Sequence, residues 1–200
     1  MTEWDPRASS PVRVDFGTFD LADSDTHTDM GFHPANGLIF STPGRAVICT
    51  GIHTGLVNVS VTTRRHPPTE ADADAWDEIM DHSVDSLTGT LHVASVMADA
   101  PPLPPLTPHG PGPYRIRVHA RGRDLAPDGT AEEPSEDYLL VTWPAPPSPD
   151  IIHKQTDQRG SQLRTGPHRT PPASPPISGE EADRKRMLRE RLGKSMGRHV

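Results

Sequence analysis

The sequence predicts a mainly β fold, an antiparallel β-sandwich or small barrel, followed by a disordered Pro-rich linker and a short C-terminal helix. Apolar and polar residues alternate with a period of two through much of the first 145 positions, as in half-buried strands. Turn signals separate these short runs, which is typical of sandwiches and barrels. Of the 24 prolines, 16 lie within 101–113, 144–149 and 167–176, where they disfavour helix interiors and central strands.

The early strands are predicted where this alternation is clearest. Residues 12–16 (VRVDF) alternate apolar with charged side chains, and Phe16 ends the strand. Segments 38–40 and 45–50 flank STPG, a tight-turn sequence. The segment 56–63 (LVNVSVTT) predicts a strand with one richly apolar face.

The segment 76–84 fits either a short amphipathic helix or a strand. We favour a strand, because the SLTG turn at 86–89 passes the chain to 91–97 (LHVASVM), which looks like its hairpin partner. In such a hairpin, His82 and His92 would face each other.

The most regular strand is predicted at 113–124, PYRIRVHARGRD. Its alternation places Tyr114, Ile116, Val118 and Ala120 on one face and Arg115, Arg117, His119 and Arg121 on the other. The next strand, 137–143 (DYLLVTW), is apolar on both faces and is predicted in the middle of a sheet or between two layers. The prolines from Pro144 onward then end the fold.

Composition divides the chain into four parts. We predict a flexible N-terminus at 1–10, a β-sandwich domain at 11–147, a disordered Pro-rich linker at 148–178 and a basic, partly helical tail at 179–200. Residues 1–150 hold 9 basic and 22 acidic side chains, a net charge of −13, whereas 151–200 hold 11 and 5, a net charge of +6. Strong helix formers at 179–192 predict the helix of the tail.

No motif in the sequence points to catalysis, a cofactor or a metal. The 11 histidines lack zinc-site spacing, and no GxSxG, GxGxxG or GxxxxGK[ST] sequence occurs. We therefore predict a non-enzymatic protein without a cofactor, and an enzyme only if histidines converge in a pocket. The single Cys49 permits no intrachain disulfide and is predicted to be buried. We find no signal peptide and no apolar run long enough to span a membrane, which favours the cytoplasm.

Charged residues supply the candidate contact sites. The arginines of 113–124 would lie about 6–7 Å apart on one strand face, which suits phosphates or an acidic protein, but cross-strand pairing with acidic residues is the simpler alternative. The acidic stretch 72–85 would mimic nucleic-acid charge toward a cationic partner. The partner-binding candidates are Asp72, Asp74, Asp77, Glu78, Asp81, Asp85, Arg115, Arg117, Arg121 and Arg123. The nucleic-acid candidates in the tail are Arg184, Lys185, Arg186, Arg189 and Arg191.

The string GPGPYRIRVHARGRD, an acidic loop and then EDYLLVTWPA form a longer pattern. It resembles a recurrent signature of uncharacterised bacterial β-domain proteins, PYR-R-HARGRD followed by E-YL--WPAP. That domain is loosely similar to the competence-nuclease inhibitor (ComJ-like) family, and Trp76-Asp77-Glu78 resembles the W-E-x-V strand of that group. The resemblance implies a protein-binding domain, an inhibitor or immunity-type protein acting on a nuclease or another basic partner. The alternative is a nucleic-acid-associated accessory protein that acts through its basic tail.

Overall fold

The computed structural model describes residues 8–23, 30–69, 73–95 and 97–166. These residues form two β-sheets, of seven and four strands, with a shared hydrophobic core. The predicted mainly β class is confirmed, and the sheets form a sandwich rather than a closed barrel. Within the described ranges, no helix is long and apolar enough to cross a membrane.

The chain enters each of the two sheets more than once along its length. In chain order the strands are β1 (Ala8–Val14), β2 (Thr18–Ala22), β3 (Ile39–Thr42), β4 (Arg45–Cys49), β5 (Thr54–Thr63), β6 (Glu78–Ser86), β7 (His92–Ala94), β8 (Gly112–Arg121), β9 (Thr130–Ala131), β10 (Asp137–Pro144) and β11 (Ile151–Gln155). A 3₁₀ turn at Ala73–Ala75 precedes β6, and the helix α1 (Gln158–Thr165) follows β11. The large sheet has the order β1-β5-β10-β8-β6-β11, with β9 beside β5, and the small sheet has the order β3-β4-β2-β7. Neighbouring strands are antiparallel, except that β9 and β10 run parallel to β5.

The core lies between the sheets and follows the period-two pattern. Val57, Val59 and Val61 of β5 are fully buried, whereas the residues between them are half-buried or exposed. The ring of Phe19 in the small sheet meets that of Tyr138 in the large sheet edge to face, with 5.2 Å between ring centres. This removal of apolar surface from water stabilises the sandwich.

Most of the predicted strands are present, and one of them ends earlier than predicted. The segments around STPG form the β3–β4 hairpin, and DYLLVTW forms β10, which lies between β5 and β8 inside the large sheet. Phe16, by contrast, lies beyond the end of β1 and is exposed. Phe16 and Gly17 both have positive φ, 59° and 73°, as in a type I′ turn, so the chain reverses here instead of continuing the strand.

The segment 76–84 is a strand over most of its length, since β6 begins at Glu78. Its predicted hairpin with 91–97 is wrong, because β6 pairs with β8 and β11, whereas β7 pairs with β2 in the other sheet. His82 and His92 therefore belong to different sheets and do not face each other across a hairpin.

The turn after β6 is held by a carboxylate that follows a strand of the small sheet. Asp23, directly after β2, accepts hydrogen bonds from Ser86 Oγ and from the backbone N–H groups of Leu87 and Thr88. These bonds connect the end of β6 to the other layer. The chain therefore crosses between the sheets at a sequence that is otherwise typical of a hairpin turn.

The predicted disordered linker is ordered over 148–166. The strand β11 pairs with β6 at one edge of the large sheet, and α1 follows it. Asp157 caps α1 by accepting a hydrogen bond of 2.8 Å from Gly160 N, and it also binds Arg123. Composition did not predict this order, because the segment is held by the ion pair between Asp157 and the distant Arg123 and not by a run of apolar residues. The rest of the predicted linker and the predicted tail helix lie outside the described residues.

Candidate functional site

The arginine row of β8 makes its contacts within the molecule. Arg117 lies opposite Asp81 in register and binds its carboxylate with hydrogen bonds of 2.6 and 3.0 Å, both side chains being buried. Arg121 is half exposed, pairs with Asp137 at 2.7 Å and lies over the ring of Trp76, 5.1 Å from its centre. Cross-strand ion pairing, the simpler alternative for this row, accounts for these two arginines.

Arg115 anchors the segment that precedes β11. Its Nη1 donates to Ser83 Oγ at 2.8 Å and to the Ser148 carbonyl at 2.6 Å. Its Nη2 donates to the carbonyls of Asp81 and Pro149, both at 3.1 Å. The guanidinium therefore joins β6 to residues 148 and 149 and positions the residue that follows them.

Arg123 lies in the interior with no exposed surface. It binds Asp157 at 2.6 and 2.9 Å and donates to the carbonyls of Gly37 and Cys49. Cys49 is buried, as predicted, and burial raises the pKa of its thiol to about 12. Arg115 and Arg117 are buried on the outer face of the large sheet by the segments that cross it, and Arg123 is buried in the interior. We therefore remove these three from the candidate contact surface.

The acidic stretch is also divided between the surface and the interior. Asp74 and Asp85 are exposed, and Asp77 is half-buried and accepts a hydrogen bond from Gly122 N at 2.9 Å. Glu78 and Asp81 are buried and interact internally, so they too leave the candidate contact surface. Asp72 and the tail candidates, Arg184, Lys185, Arg186, Arg189 and Arg191, lie outside the described residues.

Glu78 belongs to a buried charge cluster beside α1. Its Oε1 accepts a hydrogen bond of 3.4 Å from Asp157 N, and its Oε2 lies 3.6 Å from Arg164 Nη1. Burial, followed by the negative charge of Asp157, raises the pKa of Glu78 to about 8, although Arg123 and Arg164 act in the opposite direction. We assign this cluster a structural role, because it ties α1 and the end of β11 to the large sheet.

A second cluster of polar side chains lines a solvent-accessible cavity of about 310 Å³. The cavity is lined by Met30, Gly31, His33, Ala35, Asn36, Ile39, Phe40, Ser41, Thr42, His82 and Asp150. An apolar wall with a few convergent polar groups is the usual composition of a ligand pocket, and the volume is at the lower end of the common range. In the part of the chain that the structure describes, no group of three His, Cys, Asp or Glu side chains could hold a metal ion.

Three of the lining residues form a continuous hydrogen-bonded chain. Ser41 Oγ lies 2.8 Å from His82 Nε2, and His82 Nδ1 lies 2.7 Å from Asp150 Oδ1. Asn36 Nδ2 donates to the other carboxylate oxygen of Asp150 at 2.7 Å. The order is hydroxyl, imidazole, carboxylate, with an amide that holds the carboxylate in place; we call Ser41, His82 and Asp150 the relay.

The fold brings the relay together at the rim of the sandwich. On β6, His82 shares the inner face with the core residues Met80 and Val84 and so points toward the small sheet. Ser41 comes from β3, the edge strand of the small sheet that lies against β6. Asp150 directly precedes β11, where Arg115 holds the chain. Each relay residue thus comes from a different strand or strand end.

The carboxylate of the relay is anionic near neutral pH. Burial alone would raise the pKa of Asp150, but hydrogen bonds from His82 and Asn36, together with the positive charge of Arg115, lower it overall. About a third of the Asp150 side chain is exposed. The cavity therefore combines a fixed negative charge with an imidazole, a hydroxyl and apolar surface.

The sequence carries no local signal for the relay. Ser41 and His82 are 41 positions apart, and His82 and Asp150 are 68 apart. Ser41 is the first residue of the STPG turn, and Asp150 falls in the predicted linker. The histidines were the only relevant feature of the sequence, because an enzyme was predicted only if they converge in a pocket. One of them, His82, does belong to this cluster.

Comparisons with known proteins leave the family open. No protein-family model and no curated protein matches this chain. A solved structure titled "Crocagin biosynthetic gene J" is similar, with 14% sequence identity over 72% of this chain and 99% of that chain and a TM-score of 0.45.

Proposed function

We propose that this chain is a protein-binding domain that receives a basic side chain of its partner in the cavity beside Asp150. The observation that carries the proposal is the composition of this cavity, in which Met30 and Phe40 provide apolar surface next to an anionic carboxylate. Lysine and arginine match such a site, because each has an apolar stem that packs on hydrophobic surface and a cationic end that binds a carboxylate.

The net charge of residues 1–150 supports a cationic partner. Residues 1–150 carry a net charge of −13, and Asp74 and Asp85 remain exposed near the two ends of β6. A negative surface attracts a cationic protein and speeds the encounter. The basic partner that we propose is a nuclease. This part of the proposal depends only on the resemblance of the signature at 113–145 to the inhibitor family.

Four capped pentapeptides that differ at the central residue test this proposal. Each has glycine and alanine flanks and either lysine, arginine, norleucine or glutamate in the middle, and is titrated into the full chain by isothermal calorimetry or NMR. Loss of one charge-assisted hydrogen bond costs about 1.5–3 kcal/mol, so norleucine should bind at least about 10-fold more weakly than lysine. The glutamate peptide should bind weakest of the four.

Paired variants locate the binding charge. D150N should reduce the preference for lysine over norleucine to about twofold or less, because the formal negative charge is removed from the cavity. The matched control D74N removes one exposed carboxylate elsewhere and should leave that preference unchanged. Equal affinities for lysine and norleucine, or equal effects of the two substitutions, would contradict the proposal.

A further inference from the structure

We infer that Ser41, His82 and Asp150 also form a nucleophilic site that transfers an acyl group from an activated ester to water. This activity goes beyond the proposed binding function and does not depend on the identity of the partner. The relay faces a cavity that can admit a small substrate, and its three groups stand in the order that serine nucleophiles require.

The hydrogen bonds define the role of each group. Asp150 accepts a hydrogen bond from the Nδ1–H group of His82, which leaves Nε2 as the acceptor that faces Ser41 Oγ. A hydroxyl is a weak nucleophile on its own, and a base within about 2.6–3.2 Å activates it by taking the proton during attack. At 2.8 Å, His82 meets this geometric condition in the resting structure.

A second set of contacts holds the carboxylate in position. Asn36 donates to Asp150, and the side-chain oxygen of Asn36 is in turn held by the backbone N–H groups of Leu38 and Ile39 at 3.0 and 2.9 Å. Arg115 fixes the two residues before Asp150 through their carbonyl groups. The relay is therefore preorganised by its surroundings, which is what separates a reactive site from a chance contact.

One contact restricts the reactivity of the serine. Ser41 Oγ also lies 3.1 Å from the Ser83 carbonyl oxygen, which competes with His82 for the single hydroxyl proton. The bond to His82 is the shorter of the two. In serine hydrolases, loss of one oxyanion-hole donor costs about 10²–10³ in rate. Among the described residues that line the cavity we assign no such donor, so the substrate class is an ester with a good leaving group, not an amide.

The reaction proceeds in two balanced steps. Ser41 Oγ attacks the ester carbonyl carbon while its proton passes to His82 Nε2; the bond to the alcohol or phenol oxygen then breaks, and His82 returns the proton to the leaving group. Water next attacks the acylated Ser41, again losing a proton to His82, and release of the carboxylic acid restores the serine with that proton. Met30 and Phe40 provide apolar surface for a short acyl chain.

The test uses p-nitrophenyl butyrate with the full chain. Release of p-nitrophenolate is followed by absorbance, and the butyryl adduct is located by intact mass and peptide mapping. The adduct should be on Ser41 and should be absent in S41A. H82A should slow acylation by about 100-fold or more, as expected on loss of a general base. The matched control S161A removes an exposed serine on α1 and should react as the unchanged chain does.

Three results would overturn the inference. The first is that butyryl groups are found only on residues other than Ser41. The second is that S41A releases p-nitrophenolate as fast as the unchanged chain. The third is that the folded chain releases p-nitrophenolate no faster than the heat-unfolded chain. Circular dichroism checks that each variant folds, and if S41A does not fold, labelling of the unchanged chain by a fluorophosphonate followed by peptide mapping decides the point. Lysine-peptide binding by S41A, which retains Asp150, shows separately whether the proposed function holds.

Discussion

Charged and polar clusters lie on both faces of β6. On the outer face, Asp81 binds Arg117 in register, and both side chains are buried. On the inner face, His82 joins Ser41 and Asp150 beside an open cavity. The outer cluster satisfies its charges between adjacent strands and has little capacity left for a ligand. The inner cluster joins three distant segments at the rim of the sandwich, where its polar groups remain accessible.

The two clusters are nevertheless connected. Arg115 of the outer face binds the carbonyls of Ser148 and Pro149, the two residues before Asp150. The arginine row therefore supports the cavity without lining it. Variants of the row should lower stability first, whereas variants of the relay should change binding or reactivity with little loss of stability.

The largest effect is expected at the fully buried pair. R123M removes the partner of Asp157 and leaves its carboxylate uncompensated in the interior, which should lower the free energy of unfolding by about 3–5 kcal/mol. Urea denaturation at neutral pH measures this change. The double variant R123M/D157N should lose clearly less than the sum of the two single losses. A loss below about 1 kcal/mol for R123M would show that the pair does not anchor α1.

A smaller effect is expected when the support of the cavity is removed. R115M loses four hydrogen bonds to Ser83, Ser148, Pro149 and Asp81, and should cost about 2–3 kcal/mol of unfolding free energy. It should also slow acylation of Ser41, because Asp150 is no longer held in place. If R115M folds and Ser41 is acylated at an unchanged rate, Arg115 does not support the relay, and the proposed connection between the two clusters is wrong.

A pH-dependent effect is expected at Glu78. In the fold its pKa is about 8, whereas the ordinary value is 4.5, so between these values the folded state holds a proton that the unfolded chain releases. The contribution of Glu78 to stability is complete below 4.5 and is lost as pH rises through about 8. E78Q stays neutral and should gain stability relative to the unchanged chain between about pH 5 and pH 9. A pH-independent difference in denaturation midpoint would contradict this.

The smallest effect is expected at the exposed pair. Arg121 and Asp137 are about half and one-third exposed, respectively, and R121M should change the free energy of unfolding by about 0–1 kcal/mol, less still at high salt. Thermal unfolding at low and high ionic strength measures it. A loss as large as that of R115M would show that the ring of Trp76 under Arg121 matters more than the ion pair.

Local patterns predicted the parts of the fold that depend on local chemistry. DYLLVTW is apolar on both faces because β10 is an interior strand, and STPG forms the β3–β4 turn. The hairpin of 76–84 with 91–97 was wrong because Asp23, more than 60 positions earlier, fixes the turn from the other sheet. The relay was not predictable for the same reason, since it exists only once the two sheets stack and β11 pairs with β6.

The arginine row was visible in the sequence, but its role could not be predicted from the sequence. Its regular spacing was easy to see in the sequence, yet that regularity comes from registered pairing with neighbouring strands, as Arg117 and Asp81 show. Spacing along one strand does not reveal whether the facing strand supplies the counter-charge. The cavity, by contrast, depends on Asp150, in a Pro-rich segment whose composition predicted no structure at all.

The central claim is that the cavity beside the relay, and not the outer face of β8, is the functional site. The most direct measurement is the change in backbone amide NMR shifts when the lysine pentapeptide is titrated into the full chain. We predict that the largest changes fall at 39–42, His82 and Asp150, with 115–121 nearly unchanged. Largest changes at Arg121 and its neighbours on the outer face, or no localised change at saturating peptide, would contradict the claim.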